Sequence, residues 1–479
     1  MCSPSALDCE VKTAVLDDRN IRELAALSYT LAKWLLLSVL AGLVVGTATS
    51  FFLFLLELGI GFVEGLPAWR LALVPAGLAA SAAIVRFFAP EASGHGTEKV
   101  IEAIHQRQGR IALKVVPVKL AATLITLASG GSAGKEGPCA QIGAGLMSAL
   151  ASLFRFKDLD RRKLVVCGIS AGFAAVFGTP VAGAIFGVEV LYVGQMFYDV
   201  LLPSLVSGIT AYLVSMHWGV AHATSPVFLI PDTSGHVLAW TIAAGVFFGL
   251  VSLLHIEFLK LGEGLFRKWK VHPLVKPLAG GLLLLAVSAA AGTRYLGLGT
   301  DTIDAAMAGE PIPRAALLIK SLLTSITLSC GGSGGIVTPT FFVGAASGSL
   351  FAGLFGLDRA LFSGIGLVAV LAAAANTPIA AMVMGIELFG AKAAPLGAVS
   401  CVVAFLISGH RSVYPSQILA HSKSKAIVLD EPARMDSTRS TPRFSGLLLA
   451  KVWRYMRPRI RIVMRDIDRT LSDRHKMKP

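Results

Sequence analysis

The segment KLAATLITLASGGSAG, residues 119–134, occurs a second time in the chain as KSLLTSITLSCGGSGG, residues 320–335. The lysine, two threonines and the pair of glycines stand in register. Two further pairs of segments match in the same order and at nearly the same spacing: GHGTEKVIEA (94–103) with GLGTDTIDAA (297–306), and AAVFGTPVAGAIFGVEV (174–190) with AAAANTPIAAMVMGIEL (372–388). Three matches at one spacing indicate an internal duplication, with halves at about 30–217 and 237–420.

The composition indicates where these two halves lie. Hydrophobic residues make up 54% of the 479 residues and charged residues 15%, with a mean hydropathy of +0.70. A soluble domain carries about 25% charged residues. The sequence therefore predicts an all-α polytopic membrane protein with a transmembrane domain over 29–420. Residues 1–28 are rich in charges, so we expect a cytoplasmic N-terminal segment and no cleavable signal peptide.

Both halves contain glycine-rich breaks within apolar segments, such as GGSAGKEGPCAQ at 130–141. Irregular backbone at membrane depth is tolerated only where it is buried in protein or lines a cavity. Duplicated halves with breaks at matching positions are typical of membrane transporters, whose substrate site lies between the repeats. We therefore expect broken helices that enclose a binding cavity.

Three of these breaks precede apolar helices and could bind an anion: SGHG (93–96), GKEGP (134–138) and GGIVTP (334–339). The first amides of a helix have no intrahelical partner and lie at the positive end of its dipole, so a helix N-terminus is a ready anion site. Pro138 and Pro339 suit the first turn of a helix, where a missing N–H costs nothing. Several helix N-termini could thus converge on one dehydrated anion.

Glu136 is the acidic residue of the second break. A carboxylate at an anion site competes with the anion for the same amides, and protonation would let it withdraw. Glu136 would then gate the pathway, carry a proton, or do both; a structural salt bridge to Lys135 is the alternative. The loop lacks Walker spacing, and the chain has no HExxH, GxSxG or CxxC pattern. We therefore expect no enzymatic activity, no metal site and no cofactor.

Residues 421–479 form a basic tail, with fifteen Lys or Arg residues against six acidic ones. The positive-inside rule places this tail in the cytoplasm. Its mixture of apolar and basic residues could lie on anionic lipid, or the tail could be solvated. Because the rest of the chain is expected in the bilayer, we expect no nucleic-acid partner.

The motifs of the breaks resemble those of the CLC family of chloride channels and anion/proton antiporters. GKEGP (134–138) is similar to the family's GREGP-type motif, GGIVTPTFFVGA (334–345) to its GGxFxPxxxxGA motif, and SGHGTEKV (93–100) to a divergent form of its GSGIPE motif. RSVYPSQIL (411–419) stands where the family has its last helix, and the resemblance covers roughly 30–420. It implies a CLC-type fold of two inverted-topology repeats with broken and re-entrant helices. It also implies a homodimer with one anion pathway per subunit.

The resemblance further implies roles for particular residues. Glu136 matches the gating glutamate, and Tyr414 matches the tyrosine whose hydroxyl coordinates the central anion. The other residues expected at the anion site belong to the three motifs: Gly94, His95, Gly96, Lys135, Gly137, Ile336 and Val337. Lys135 could set the local potential, and the amides around Ile336 and Val337 match those that ligate the anion.

Three positions depart from the family pattern. His95 replaces the central serine, which puts chloride selectivity in doubt, because family branches that favour fluoride also lack that serine. A histidine offers an N–H when neutral and a charge when protonated, or it turns away and leaves the ion to backbone amides. Val337 replaces a phenylalanine and could widen the site. Val190 replaces an acid near the cytoplasmic proton entry, a pattern that channels and some antiporters share.

We therefore predict transport of small inorganic anions, chloride first, by passive conduction through a channel gated by Glu136. The alternative is an anion/proton antiporter for chloride or fluoride, and a third possibility is a cation or organic-solute transporter that shares only the broken helices. We expect a multi-pass protein of the cell (inner) membrane with both termini in the cytoplasm. The family's paired CBS regulatory modules need far more than the 59 residues after position 420, so we expect the tail to lack them.

Overall fold

The computed structural model describes residues 18–222, 235–424, 427–429, 433–435 and 440–442. These residues form an all-α polytopic fold of sixteen α-helices. In chain order the helices are α1 (Asp18–Glu64), α2 (Leu73–Phe88), α3 (Gly96–Gln106), α4 (Val115–Ala128), α5 (Glu136–Leu153), α6 (Asp158–Phe177), α7 (Pro180–Glu189), α8 (Tyr198–His217), α9 (Gly235–Lys268), α10 (Val275–Ala291), α11 (Thr300–Met307), α12 (Ala316–Cys330), α13 (Val337–Phe355), α14 (Arg359–Ala375), α15 (Pro378–Phe389) and α16 (Ala394–Ile407). Short 3₁₀ helices cover Ala68–Ala72, Pro90–Ala92, Thr293–Tyr295 and Ala391–Ala393.

Among the described residues, five helical stretches are long and apolar enough to cross a membrane. They are Asn20–Glu64, Trp69–Phe88, Tyr198–His217, Gly235–Lys268 and Val337–Phe355. Most of the remaining apolar helices have 10 to 17 residues, whereas a simple spanning helix needs roughly 20. Short helices of this kind are what two repeats of broken and re-entrant helices require.

The first helix is much longer than a single span. At about 1.5 Å per residue, the 47 residues of α1 exceed the roughly 30 Å of the hydrocarbon core. The helix starts at Asp18, so it includes the second part of the segment 1–28 that we expected to precede the transmembrane domain. The domain boundary between residues 28 and 29 stays a prediction.

The two halves are joined by a reciprocal set of hydrogen bonds. In each half, the serine of the Gly-Gly-Ser break contacts the two threonines that the other half carries in register. The contacts are Ser132 N–H to Thr327 Oγ1 (3.1 Å), Ser132 Oγ with Thr324 Oγ1 (3.1 Å), Ser333 N–H to Thr126 Oγ1 (3.1 Å), and Ser333 Oγ with Thr123 Oγ1 (3.0 Å). All six residues are buried. The repeated residues therefore join the halves at the level of the breaks.

Matching pairs of glycines allow two helix pairs to approach at backbone distance. Helix α5 crosses α6 at Gly143 and Gly168, and α13 crosses α14 at Gly344 and Gly366. A β-carbon at Gly344 would lie 2.5 Å from the carbonyl oxygen of Gly366. Small residues permit this close contact between helices in a membrane. Helices α5 and α13, which begin at the breaks, are thus closely packed against α6 and α14.

The glycine contact leads to a first prediction. Gly366→Ala should lower the free energy of unfolding by about 1–3 kcal/mol, because the added methyl group would overlap the backbone of α13. The control is Gly397→Ala on α16, where no atom lies within 4 Å of the added carbon. This control should be neutral or slightly stabilising, since alanine is the better helix former. Thermal unfolding in detergent compares the two, and equal melting temperatures would contradict the packing argument.

Two glutamates cap helices of opposite halves. Each carboxylate accepts two backbone N–H groups from the first turn of the other glutamate's helix. The contacts are Glu189 with Ile379 N–H (3.0 Å) and Ala380 N–H (2.8 Å), and Glu387 with Val181 N–H (2.9 Å) and Ala182 N–H (2.8 Å). Negative charge at a helix N-terminus is stabilising. This reciprocal geometry gives Glu189 and Glu387 a structural role in joining the two halves.

In the part of the chain that the structure describes, five short strands accompany the helices. Strand β1 (Tyr192–Val193) pairs in parallel with β2 (Ile418–Leu419), and β2 pairs antiparallel with β4 (Ala433–Arg434). Strand β3 (Ile427–Leu429) pairs antiparallel with β5 (Ser440–Pro442). The beginning of the basic tail is therefore paired with the membrane domain, a contact that the sequence does not predict.

Candidate functional site

Three helices begin where the breaks of the two halves meet. Gly134 and Gly335 exchange backbone hydrogen bonds across the halves, at 2.7 Å and 2.6 Å. His95, which precedes α3, forms a parallel bridge with Gly334. The breaks before α3, α5 and α13 are therefore tied together by backbone contacts, as the anion-site hypothesis requires.

Glycines make this meeting possible. A β-carbon at Gly335 would lie 2.8 Å from the amide nitrogen of Gly137, and one at Gly96 would collide with the carbonyl of Gly137. Gly94 has a φ of +72°, a left-handed conformation that favours glycine. Larger side chains at Gly96 and Gly335 would therefore force the first turns of the helices apart.

Glu136 is the first residue of α5, and its side chain is only 1% exposed. Its carboxylate accepts a hydrogen bond from Thr338 Oγ1 at 2.5 Å and another from Thr338 N–H at 3.2 Å. Thr338 belongs to the first turn of α13. The carboxylate thus occupies the N-terminus of α13, where backbone amides lack intrahelical partners and attract negative charge.

The alternative role for Glu136, a salt bridge to Lys135, has no support in the geometry. Among the described residues Lys135 forms no ion pair. It is the N-cap residue of α5 and is partly buried, so its charge contributes to the local potential without neutralising Glu136 directly. Ile336 and Val337 are the N-cap and first residue of α13, so their amides lie where an anion ligand is expected.

His95 and Tyr414 lie next to the breaks and carry unsatisfied polar atoms. Their ring centroids are 6.3 Å apart. Within the described part of the chain, His95 Nδ1, Tyr414 Oη and Thr97 Oγ1 are buried and form no hydrogen bond. Buried polar atoms are nearly always hydrogen-bonded, so such a cluster needs an explanation. A small ligand that accepts hydrogen bonds would satisfy the donors of this cluster.

The structure therefore brings all the predicted site residues to one region: Gly94, His95, Gly96, Lys135, Glu136, Gly137, Ile336, Val337 and Tyr414. Two further residues were not predicted, namely Thr338 and Lys119. The ammonium group of Lys119, which is fully buried, donates to the carbonyls of Gly94 (2.6 Å) and Ala92 (3.2 Å). Its recurrence in the repeat was a signal in the sequence, but no role followed from that recurrence alone.

Lys119 has a counterpart in the other half. Lys320, equally buried, donates to the carbonyls of Gly297 (2.8 Å) and Tyr295 (3.1 Å). Each lysine thus fixes the turn before the broken helix of its own half. Leu298 occupies in the second turn the place that His95 has in the first.

Two cavities lie beside these turns. The tail-side cavity, of about 410 Å³, is lined by His95, Glu98, Lys99, Glu263, Ser416 and Arg434 among others. The mirror cavity, of about 300 Å³, is lined by Gly297, Gly299, Arg294 and Asp301 among others. The two cavities therefore border the matching turns of the two halves.

The fold and the site together define a membrane protein that transports anions between two inverted repeats. The family model described as "Voltage gated chloride channel" matches residues 76–409, and the chain belongs to this family, the CLC family. It is 40% identical over 415 residues to the "Chloride/fluoride channel protein" of Pseudomonas syringae pv. tomato, covering 85% of this chain and 90% of that protein. It is 29% identical over 413 residues to the "Voltage-gated ClC-type chloride channel ClcB" of Shigella flexneri, covering 82% and 94%.

Solved structures give the same family. A CLC-type fluoride/proton antiporter superposes with a TM-score of 0.77 at 30% sequence identity, covering 81% of this chain and 98% of that chain. A slow cyanobacterial Cl⁻/H⁺ antiporter superposes with a TM-score of 0.69 at 21% identity, covering 78% and 94%. The second likeness concerns the fold alone.

Proposed function

We propose that the protein moves fluoride and chloride across the membrane along a pathway that the Glu136 carboxylate closes. One observation carries the proposal: this carboxylate accepts hydrogen bonds from Thr338 at the N-terminus of α13, where a permeating anion would bind. A protonated carboxyl group has no net charge and competes poorly for those donors. Protonation of Glu136 therefore opens the pathway.

We further propose that anion movement is exchanged for protons, with Glu136 as the proton carrier. The fluoride/proton antiporter that superposes on most of this chain supports exchange. The predicted passive conduction remains the second candidate. It is favoured by Val190, which cannot accept a proton, and by the name of the Pseudomonas syringae relative, which describes a channel.

A liposome flux assay decides between the two candidates. Purified protein is reconstituted with equal fluoride, or equal chloride, on both sides, and only a pH gradient is imposed. Uphill anion movement is expected for an exchanger and none for a channel. Sodium-dependent transport that is indifferent to halide would overturn both candidates and favour the third.

His95→Ser tests what the histidine adds to selectivity. The serine hydroxyl would offer one hydrogen bond to a chloride ion in the space beside Tyr414, so the chloride-to-fluoride rate ratio should rise roughly three- to tenfold. The control is His105→Ser in the last turn of α3; the Nε2 atom of His105 lies 3.1 Å from the Leu191 carbonyl oxygen, away from the break. If both variants keep the wild-type ratio, His95 does not contact the ion.

The assembly and location remain proposals as well. We propose a homodimer, as the family resemblance implies, in the cell (inner) membrane with both termini in the cytoplasm. The charge of the basic tail supports this orientation. The tail-side cavity, which the tail residue Arg434 lines, would then face the cytoplasm.

A further inference from the structure

The basic tail returns to the membrane domain at one short segment. Strand β4 pairs with β2 in the register Ile418 with Arg434 and Leu419 with Ala433. The Met435 N–H then donates to the Gln417 carbonyl oxygen at 2.9 Å. Met435 is buried and packs in a cluster with Leu419 and Val193. Residues 433–435 are therefore docked against the domain by both backbone and apolar contacts.

This docking places the Arg434 side chain in the tail-side cavity. Its Nη2 donates to Ser416 Oγ at 3.0 Å. The Ser416 N–H in turn donates to the Glu98 carboxylate at 3.0 Å, and Ser416 lies two residues after Tyr414. The guanidinium group thus stands at the cavity wall, next to the segment that carries the predicted anion ligand Tyr414.

Arg434 supplies one of the three basic side chains in the lining of the cavity. Among the described residues, the charged side chains in its lining are those of Lys99, Lys260, Arg434, Glu98, Glu102 and Glu263. These are three basic and three acidic side chains, and Lys99 is engaged with Glu102 at 2.9 Å. Without Arg434 the lining would carry an excess of negative charge. A cavity of one charge sign repels ions of that sign and lowers their local concentration.

We propose that Arg434 is an anion-attracting residue of the transport pathway, supplied by the tail and not by the membrane helices. It raises the concentration of anions in the tail-side cavity, from which they reach the breaks. The inference rests on the proposed function, because it assumes that anions pass through this cavity. It makes the start of the tail a part of the pathway.

The first test replaces the charge. Arg434→Gln should lower the initial anion flux about three- to tenfold and Arg434→Glu should lower it further, whereas Arg434→Lys should stay within about twofold of wild type. The loss should shrink at high ionic strength, because salt screens the field. The control is Arg411→Gln, an exposed arginine paired with Glu257 at 3.2 Å that does not line the cavity.

The second test separates charge from structure at a single position. In a background with Cys2→Ser and Cys9→Ser, the other four cysteines are buried. Arg434→Cys is then treated with trimethylammonioethyl methanethiosulfonate or with sulfonatoethyl methanethiosulfonate. The thiolate forms a mixed disulfide and releases methanesulfinate. The cationic reagent should restore flux and the anionic reagent should lower it, a difference that a purely structural role would not produce.

The outcomes distinguish failure of this inference from failure of the proposed function. If the flux stays at the wild-type level in Arg434→Gln, in Arg434→Glu and after treatment with both reagents, this inference is overturned and the proposed function stands. Wild-type liposomes that move neither fluoride nor chloride would overturn the proposed function and this inference together. Elution of each variant as wild type in size-exclusion chromatography confirms that folded protein is compared.

Discussion

Glu136→Gln is expected to abolish proton movement while anion flux persists. The glutamine side chain has the size of a protonated glutamate but cannot release a proton or carry a negative charge. It therefore competes poorly for the donors of Thr338, and the N-terminus of α13 becomes available to anions. In liposomes, proton uptake driven by an anion gradient should fall to the level of protein-free vesicles. Anion flux should lose its dependence on pH.

Thr338→Val is the matched variant for this result. It removes the hydroxyl that donates to Glu136 at 2.5 Å but keeps the carboxylate itself. The closed state should be weakened by about one charge-assisted hydrogen bond, so anion flux should rise roughly tenfold while protons still move. A Glu136→Gln protein that elutes normally yet conducts no anions would contradict the role of the gate. Unchanged flux in Thr338→Val would show that the threonine hydroxyl does not hold the gate closed.

The repeat explains why so much of the site could be predicted from the sequence. The glycines, prolines and acidic residues in the breaks act locally. They determine where the helices begin and where two backbone segments can come into close contact. Gly134 and Gly335 match each other in the repeat, and the structure pairs them directly. The prediction that breaks of both halves converge followed from this match.

The partner of Glu136 could not be predicted in the same way. Thr338 is a neighbour of Glu136 only because the two halves fold face to face across 202 residues. The sequence around neither residue indicates that the two side chains meet in the fold. The same holds for Lys119, whose recurrence was visible while its acceptors, the carbonyls of Ala92 and Gly94, carry no side-chain signature.

The docked tail shows a different limit. Strands β2 and β4 contain two residues each, too few for an alternating pattern. The sequence of residues 421–479 therefore predicts only from composition and charge, and it indicates a lipid-bound or a solvated tail. The contact between Arg434 and Ser416 depends on tertiary docking that composition does not reveal.

Substitution of the two buried lysines, Lys119 and Lys320, is expected to have the second large effect, on stability and on anion flux. Lys119→Met and Lys320→Met each remove a buried ammonium group and leave two carbonyl oxygens without their donor. Each lost hydrogen bond to a charged group costs about 1.5–3 kcal/mol. Both variants should therefore lose stability to a similar extent, as measured by thermal unfolding in detergent.

Their anion flux should differ. Lys119 holds the turn that carries His95, so its positive charge lies beside the predicted anion site. Loss of that charge in a poorly hydrated site should lower the flux of folded protein about tenfold or more. Lys320 holds the matching turn, where Leu298 stands and no predicted ligand lies, so Lys320→Met should keep most of its flux. Lys119→Gln keeps a donor but not the charge, and a rate close to that of Lys119→Met would identify charge as the cause. Equal flux in Lys119→Met and Lys320→Met, at equal amounts of folded protein, would mean that the two turns do not differ in function and that the anion does not approach Lys119.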